Sequence, residues 1–457
     1  MRFFPVVFFI ACMPVILSAQ IPHPIYRSKA DSTSYNQLQQ RLTDMMSVPE
    51  KINPVIIDSL REKLFKLREV AIIGMTYRYQ PDPNYTPLAD IIDGSADPGQ
   101  VKRLSISGWN GNALPKEIYQ CTSLERLEII EGSIKRIPRK LNRLRNLERL
   151  AIYSHKSEGR LRIAKNRHVR HLVFRGDKPD VLPKNFKRFV KLDTLDLKRN
   201  GLTSFPAVHK NKNLKQLVLS ENELTLTKDR IRSNASLQHL VLQRNKIESI
   251  PSAFTSFPNL KKLILNYNQI NTVSPELARL TNLEELGLYQ NKLTDIPSVV
   301  YQMTKLRFLD LYYNKIEKID DEIANLQNLE VLFISSNRIY KISERVGELK
   351  NLKELYVHHN RLSSLPVSLK NLDKLEVLRI NANNLVDVPE WITELKNLKN
   401  LDISHNKIYR APDMIRQLAK LELVAFTQNN WENVDQIIDL ADDLSLKGVT
   451  VHLEQFD

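Results

Sequence analysis

Cysteine is nearly absent from the 457-residue chain, which carries only Cys12 and Cys121. If the first residues are a removed leader, one thiol remains and no intrachain disulfide can form. Glycine is scarce as well. The twelve glycines are scattered with no Gly-x-Gly, which excludes the two common phosphate-cradling loops. No Ser/His or Cys/His arrangement of the kind nucleophilic catalysis requires stands out. The ten histidines are mostly isolated, and His168 and His171 lie at a strand entry where their rings need not converge. Neither an enzyme nor a cofactor site is therefore expected. What is present is ordinary for a soluble protein, 42% hydrophobic and 26% charged residues.

The start of the chain stands apart. "MRFFPVVFFIACMPVILSAQ" has one early Arg2, a mostly apolar run from Phe3 to Leu17, and the small residues Ser18 and Ala19. The run is shorter than the roughly 18 to 20 apolar residues a spanning helix needs, and Pro5 and Pro14 interrupt it. Residues 1–19 are accordingly expected to be a signal peptide of bacterial type. The expected locations are the periplasm, the outer surface or the medium, with no transmembrane segment after the signal is removed.

The rest is dominated by repetition. Leucine or valine opens a block at Val101, Leu124, Leu147, Val169, Leu192, Leu214, Leu237, Leu260, Leu283, Leu306, Leu329, Leu352, Leu375, Leu398 and Leu421, each 22 or 23 residues after the last. Within each block apolar residues recur at positions one, four, six, eleven, fourteen, eighteen and twenty-one, as Leu306, Leu309, Leu311, Ile316, Ile319, Ile323 and Leu326 show. The short spacing suits a brief strand, and the wider spacing suits a return arc or a helical turn. Cys121 falls at position twenty-one of the first block and reads as a small buried residue.

Position nine is asparagine in an unbroken series: Asn200, Asn222, Asn245, Asn268, Asn291, Asn314, Asn337, Asn360, Asn383, Asn406 and Asn429. An amide between apolar neighbours has to be hydrogen-bonded to be tolerated inside. Stacked asparagines, with donors and an acceptor each, are expected to satisfy the backbone where each strand turns. The first four blocks carry Trp109, Gly132, His155 and Asp177 there instead, and "SHKSEGRLRIAKNRH" is poorly periodic.

The pattern LxxLxLxxNxIxxIPxxIxxLxN, over residues 101 to about 443, resembles the leucine-rich-repeat proteins, in particular the 23-residue bacterial kind. The resemblance implies an α/β repeat solenoid of about fifteen repeats, curved, with a concave parallel β-sheet and convex turns or short helices. Proline at position fifteen, in nine blocks from Pro115 to Pro412, fits an arc that donates no ladder hydrogen bond. His359 and His405 share position eight two blocks apart, roughly 10 Å at strand spacing, and read as surface histidines rather than zinc ligands.

Open ends of such a stack expose apolar faces, so caps are expected. Residues 433–457 read as a C-terminal cap, a helix from Asn433 with apolar Val434, Ile437, Ile438 and Ala441, stopped by Gly448, then a last strand through Val449, Val451 and Leu453. Residues 20–100 hold two expected helices, near Asn36 to Met46 and Pro54 to Lys66, and a proline-rich linker "YQPDPNYTPL". That piece is either an N-terminal cap or a small separate domain. The repeats themselves fill 101–432.

With chemistry absent, function falls to the surface. Positions three, five, seven and eight of each block face a partner from the concave sheet. In the middle of the array they read Tyr267, Tyr289, Phe308, Tyr312, Tyr313, Phe333, Tyr356, His358 and His359. Binding surfaces favour tyrosine, which gives large contact area at low entropic cost, although side-by-side stacking also stiffens a sheet. Charge is uneven too. Residues 139–215 hold 22 Lys and Arg against six Asp and Glu, so the chain's net +15 resides there. Arg149, Arg170, Arg175, Lys198 and Arg199 on the concave face offer a site for an anionic partner, a phosphorylated glycolipid, an anionic polysaccharide or an acidic protein face. An exported chain is not expected to meet nucleic acid. The expectation is an exported, non-enzymatic protein that binds a protein or a glycan, the alternatives being a structural cell-envelope component or a binder of anionic glycolipid through 139–215. Deleting residues 433–457 is expected to expose an apolar edge and drive aggregation, measured by light scattering; an equally soluble truncation would show the segment to be dispensable.

Overall fold

Each block makes one turn of a coil, and the stacked turns form a curved solenoid. The structure, a computed structural model, describes residues 82–453 apart from 156–158, 177–181, 184 and 227–230, together with Gln37 and Gln40. The leader and the two helices expected before residue 67 lie outside the described residues, save those two helical positions.

Positions three to five form the strands. They line up in one parallel sheet of 17 strands among the described residues, from Thr86–Pro87 through Phe308–Asp310 to Thr450–His452. Register is strict: Leu286, Leu309 and Leu332 stand side by side, as do Leu355, Leu378 and Leu401. The poorly periodic third block keeps it, because Arg149–Tyr153 pairs residue for residue with His171–Arg175. Return arcs form short 3₁₀ helices such as Asp321–Asn325 and Glu344–Glu348. Several start straight after the position-fifteen proline, as Ser252–Ser256 follows Pro251, where the fixed φ and missing N–H cost nothing.

The apolar positions close one continuous core. Leu306, Leu309, Leu311, Ile316, Ile323 and Leu326 are all buried, and so is Cys121. Burial pushes the Cys121 thiol up from its usual range, so it is a packing residue and no nucleophile.

The asparagine ladder is present as expected. Asn314 donates through Nδ2 to the carbonyls of Leu288 (2.9 Å) and Leu311 (3.0 Å), and its Oδ1 accepts from the N–H of Leu293 (3.1 Å). Leu288 O also receives Asn291 Nδ2 at 3.0 Å, so each position-six carbonyl past the strand end is held from two turns. The same pattern runs from Asn245 to Asn429. A second ladder, legible in the same pattern but given no role there, runs along the outside. Asn259, Asn282, Asn328, Asn351 and Asn397 each donate to a carbonyl one turn back, Asn328 to Thr304 at 2.9 Å. In the earlier blocks Trp109 instead closes its own turn, donating to Ala113 O at 2.7 Å. His155 is buried against Phe174, and burial pushes its pKa down to about 4.

At each end the described chain adds a strand and a helix to the stack. The linker reading stops short: Thr86–Pro87 is a strand paired with Leu104 and Ser105, and Leu88–Ile92 is a short helix that buries Leu88 and Ile91. Proline is accommodated because this is the edge strand. At the other end Asn433 caps the helix Val434–Leu446 by accepting from Gln436 N, and Thr450–His452 extends the sheet beside Leu423–Ala425. The buried face of that helix is Ile437, Leu440, Ala441 and Leu444. Ile438, expected on it, is rotated about 100° away and is partly exposed.

Replacing Asn314 by Ala leaves two carbonyls short of a donor and one N–H unpaired in a dry turn, and is expected to cost about 1–3 kcal/mol. Urea unfolding of the variant measures this, and an unchanged midpoint would count against the ladder.

Candidate functional site

The strand pleat sends positions three and five to the concave face, and a sharp turn follows. From Gly108 to Gln428, position eight has positive φ in every block except the fourth, with Tyr267 at 58°, Tyr313 at 55° and His359 at 52°. Left-handed backbone is unfavourable for L-residues with large side chains. It is tolerated here because the N–H of position eight bonds the next turn, as Tyr313 N does to Ser335 O at 3.1 Å, and the amide at position nine ties the turn to the one before, as Asn314 Oδ1 accepts from Leu293 N. The turn brings positions seven and eight together: the rings of Tyr312 and Tyr313 lie 4.7 Å apart, edge to face.

All nine residues expected at the aromatic site join one network of ring contacts. Tyr267 meets Tyr289 edge-on at 4.7 Å, and Tyr289 stacks on Tyr312 at 5.1 Å. Phe308 packs on Phe333 at 5.5 Å, and Phe333 stacks on Tyr356 at 4.3 Å. His358 links the two groups, 6.0 Å from Tyr312 and 6.5 Å from Tyr356, and reaches His359 at 5.5 Å. The network spans five adjacent turns, roughly 20 Å. Its rings are half-buried by one another, so each presents a face or an edge to solvent. His358 is the exception. It is buried, its Nδ1 shares a hydrogen bond with Ser335 Oγ at 2.8 Å, and burial, helped by His359 and Arg379, pushes its pKa to about 3. It is a neutral packing ring at physiological pH. Burial and the neighbouring Tyr267 likewise push the Tyr289 phenol up.

One member of the site was missed by sequence reasoning. Asp310, at position five, lies between Gly287 and Phe333 in register, with Phe308 and Tyr312 on its own turn. Its Oδ1 accepts the Tyr312 N–H at 3.1 Å. Burial pushes its carboxyl up to about 7. Two other aspartates share position five. Asp196 accepts Lys198 N in the same way and pairs with Arg175 at 2.9 Å, and Asp402 lies in register with Arg379. Asp310 alone of the three has Gly and Phe for neighbours. The signal was available in the sequence as an Asp at this position with no Lys or Arg on the adjoining turns at positions five and seven.

The basic residues are placed differently from the aromatic ones. Arg170 pairs with Asp193 at 2.7 Å, Arg175 with Asp196, and Lys198 with Glu221 at 2.7 Å, while Arg199 also bonds Glu221. Burial opposes ionisation of Glu221, yet Lys198 and Arg199 together hold its carboxyl below the usual range. Arg149 stands in register between Arg126 and His171. Much of the positive charge on this part of the concave face is thus neutralised from within. Among the described residues, no group of three or more His, Cys, Asp or Glu is disposed to hold a metal ion, and no helix is long and apolar enough to cross a membrane.

A coil of parallel strands, with amide ladders and an open concave face, defines a class, the leucine-rich-repeat solenoids. Family profiles agree: residues 296–387 match one described as a leucine-rich repeat region, and 212–270, 235–293 and 258–316 match one described as a leucine rich repeat. No curated protein matches the sequence. Solved structures of the same fold include a leucine-rich-repeat protein of Leptospira interrogans, 24% identical, covering 80% of this chain and 99% of that one with a TM-score of 0.61. An internalin of Listeria monocytogenes is 20% identical over 75% of this chain and 90% of its own, TM-score 0.57. A chain of the Drosophila Toll–Spatzle complex is 22% identical, covering 72% of this chain and 47% of that one, TM-score 0.59. The chain is a leucine-rich-repeat protein, and its 22- and 23-residue period is consistent with the bacterial kind.

Because Asp310 is protonated more readily when folded than when unfolded, its contribution to stability is lost as pH rises from about 4 to about 7 and stays lost above. Asp310→Asn keeps the acceptor for Tyr312 N–H and removes the charge. The variant is expected to be more stable than the parent at pH 8, by on the order of 1–3 kcal/mol, and to converge with it near pH 4. Urea midpoints of both proteins across this range test it, and a difference independent of pH would refute the assignment.

Proposed function

We propose that this chain is an exported interaction protein without chemistry of its own, which holds a polypeptide partner against the aromatic stretch of its concave face. The observation that carries the reading is the continuity of nine rings over five turns, each fixed in direction by the backbone beneath it. A passive spacer in the cell envelope needs no such concentration of large rings in one quarter of its sheet. Rigid tyrosines at a surface lose little entropy on binding, and the centre of a binding patch is where aromatic anchors contribute most.

The neighbours favour a polypeptide over a glycan. The Toll structure is of a complex with Spatzle, and a plant peptide hormone receptor, RGFR1, 23% identical with a TM-score of 0.51 over 71% of this chain, is in complex with RGF2. Anionic partners fit less well, since Arg170, Arg175, Lys198 and Arg199 already face carboxylates. Export rests on the leader-like first 19 residues. Residues 82–100 and 433–453 act as the closing pieces of the stack, because each adds a strand and a small apolar helix face to an end that would otherwise be open.

The test begins with a pull-down by residues 20–457 from envelope and host extracts. Alanine at Tyr312 and Phe333 together is expected to weaken the recovered partner by about 2 kcal/mol or more, with little dependence on salt, as titration calorimetry would show. Unchanged affinity in the double variant, or an affinity that collapses with salt, would move the site to the basic blocks or the convex arcs.

A further inference from the structure

Asp310 raises a question that packing does not answer. A position-five aspartate in this fold holds the N–H two residues on, and Asp196 shows the complete arrangement. There the second partner is the guanidinium of Arg175, which lies 2.9 Å from Oδ2 while its plane sits 5.6 Å from the ring of Tyr153. The aspartate thus receives its counter-charge from an arginine that also packs on a tyrosine. At Asp310 every element of that arrangement is present except the arginine. The turn N–H is donated by Tyr312. Its neighbours carry rings: Phe308 and Tyr312 stand two residues to either side on its own turn, Phe333 is beside it in register, and Tyr289 stacks on Tyr312. Position seven of the preceding turn, which supplies Arg175 to Asp196, is Tyr289. The strand neighbour is Gly287, which adds no side chain over the carboxylate.

The rest of the surrounding charge leaves the gap open. Glu285 on the preceding strand pairs with Lys262, and Glu354, two turns on, accepts the Tyr356 hydroxyl at 2.8 Å. His358 is neutral for the reasons given above. The guanidiniums at the two edges of the network stand far off: Arg244 lies over Tyr267 at 4.1 Å and Arg379 is in register with Tyr356, each on a turn three removed from that of Asp310.

We propose that Asp310 and the rings of Tyr289, Tyr312 and Phe333 form a receptor for an arginine side chain of the polypeptide partner. The proposal rests on the concave-face reading and makes it specific. A guanidinium suits the site better than an ammonium. It is more weakly hydrated, it stacks flat on aromatic faces, and its planar fork meets a carboxylate through two donors. A quarter of the concave sheet then reads as a peptide-binding surface with one charged register point: the rings supply contact area, and the aspartate fixes which residue of the partner stands over the turn of Leu306.

The probe is N-acetyl-arginine amide, compared with N-acetyl-citrulline amide, its neutral isostere, by NMR titration against residues 20–457. The arginine compound is expected to bind at least tenfold more tightly. Asp310→Asn, which keeps the turn and the fold, is expected to bring the two compounds within twofold of each other, and Tyr312→Ala to weaken the arginine compound without restoring citrulline. Equal binding of the two compounds by the parent protein, no binding of either at 50 mM, or an arginine preference that survives Asp310→Asn would each overturn the proposal. The broader reading is separated by the recovered partner itself. If Asp310→Asn binds it normally while the Tyr312 and Phe333 double variant does not, the patch stands and the arginine site falls; if neither variant matters, both fall.

Discussion

The carboxamide at position nine is the interaction on which this molecule depends. A short parallel strand leaves its last carbonyl and the next inward-turning N–H without ladder partners, and in a turn lined by leucine there is no water to take them. Each asparagine closes three such vacancies, two carbonyls through Nδ2 and one N–H through Oδ1, and it does so between turns as well as within one. Remove that amide and the leucines at positions one, four and six have no reason to converge at the same depth in successive turns. From Asn200 onward it reinforces the strand register that the sheet keeps throughout.

Register in turn determines the surface. Because like positions stand beside like positions, residues 22 or 23 apart in sequence become neighbours about 4.8 Å apart, and any run of similar residues at one position becomes a stripe. The tyrosines and phenylalanines of the five central turns make one network for this reason, and the charged residues of the earlier turns make a row of ion pairs, Arg170 with Asp193, Arg175 with Asp196, Lys198 and Arg199 with Glu221. The same geometry isolates Asp310. Its neighbours are whatever occupies positions five and seven on the flanking turns, and those are glycine and aromatic rings.

The left-handed residue at position eight is part of the same economy. It reverses the chain in the space of one residue, which places the asparagine inward and the position-eight side chain outward next to position seven. The strain of holding Tyr267, Tyr313 or His359 there is repeated turn after turn and is borne by the hydrogen bonds on either side. No feature of the sequence marks it, since the residues at position eight include arginine, glutamate, tyrosine, histidine, serine and alanine. It is imposed by the amide that follows and by the strand that precedes.

From the sequence alone came the period, the apolar positions, the role of the asparagines, and the identity of the nine residues that meet in the aromatic network, all of which depend on spacing along the chain, and spacing is what a repeat displays; the parallel sheet came from the resemblance that this spacing carries. The tertiary structure decided what depends on contacts across turns. It paired four of the five concave basic residues with carboxylates, which counting charge along 139–215 does not reveal. It buried His358 as a neutral ring among residues expected to face a partner, turned Ile438 away from the helix face, and drew Thr86–Pro87 out of an apparent linker into the sheet. Asp310 belongs to the same group. Its chemistry is not in its own position, which it shares with Asp196 and Asp402, but in the lack of Lys or Arg at positions five and seven of the flanking turns, which the sequence spells out and only the stack makes adjacent.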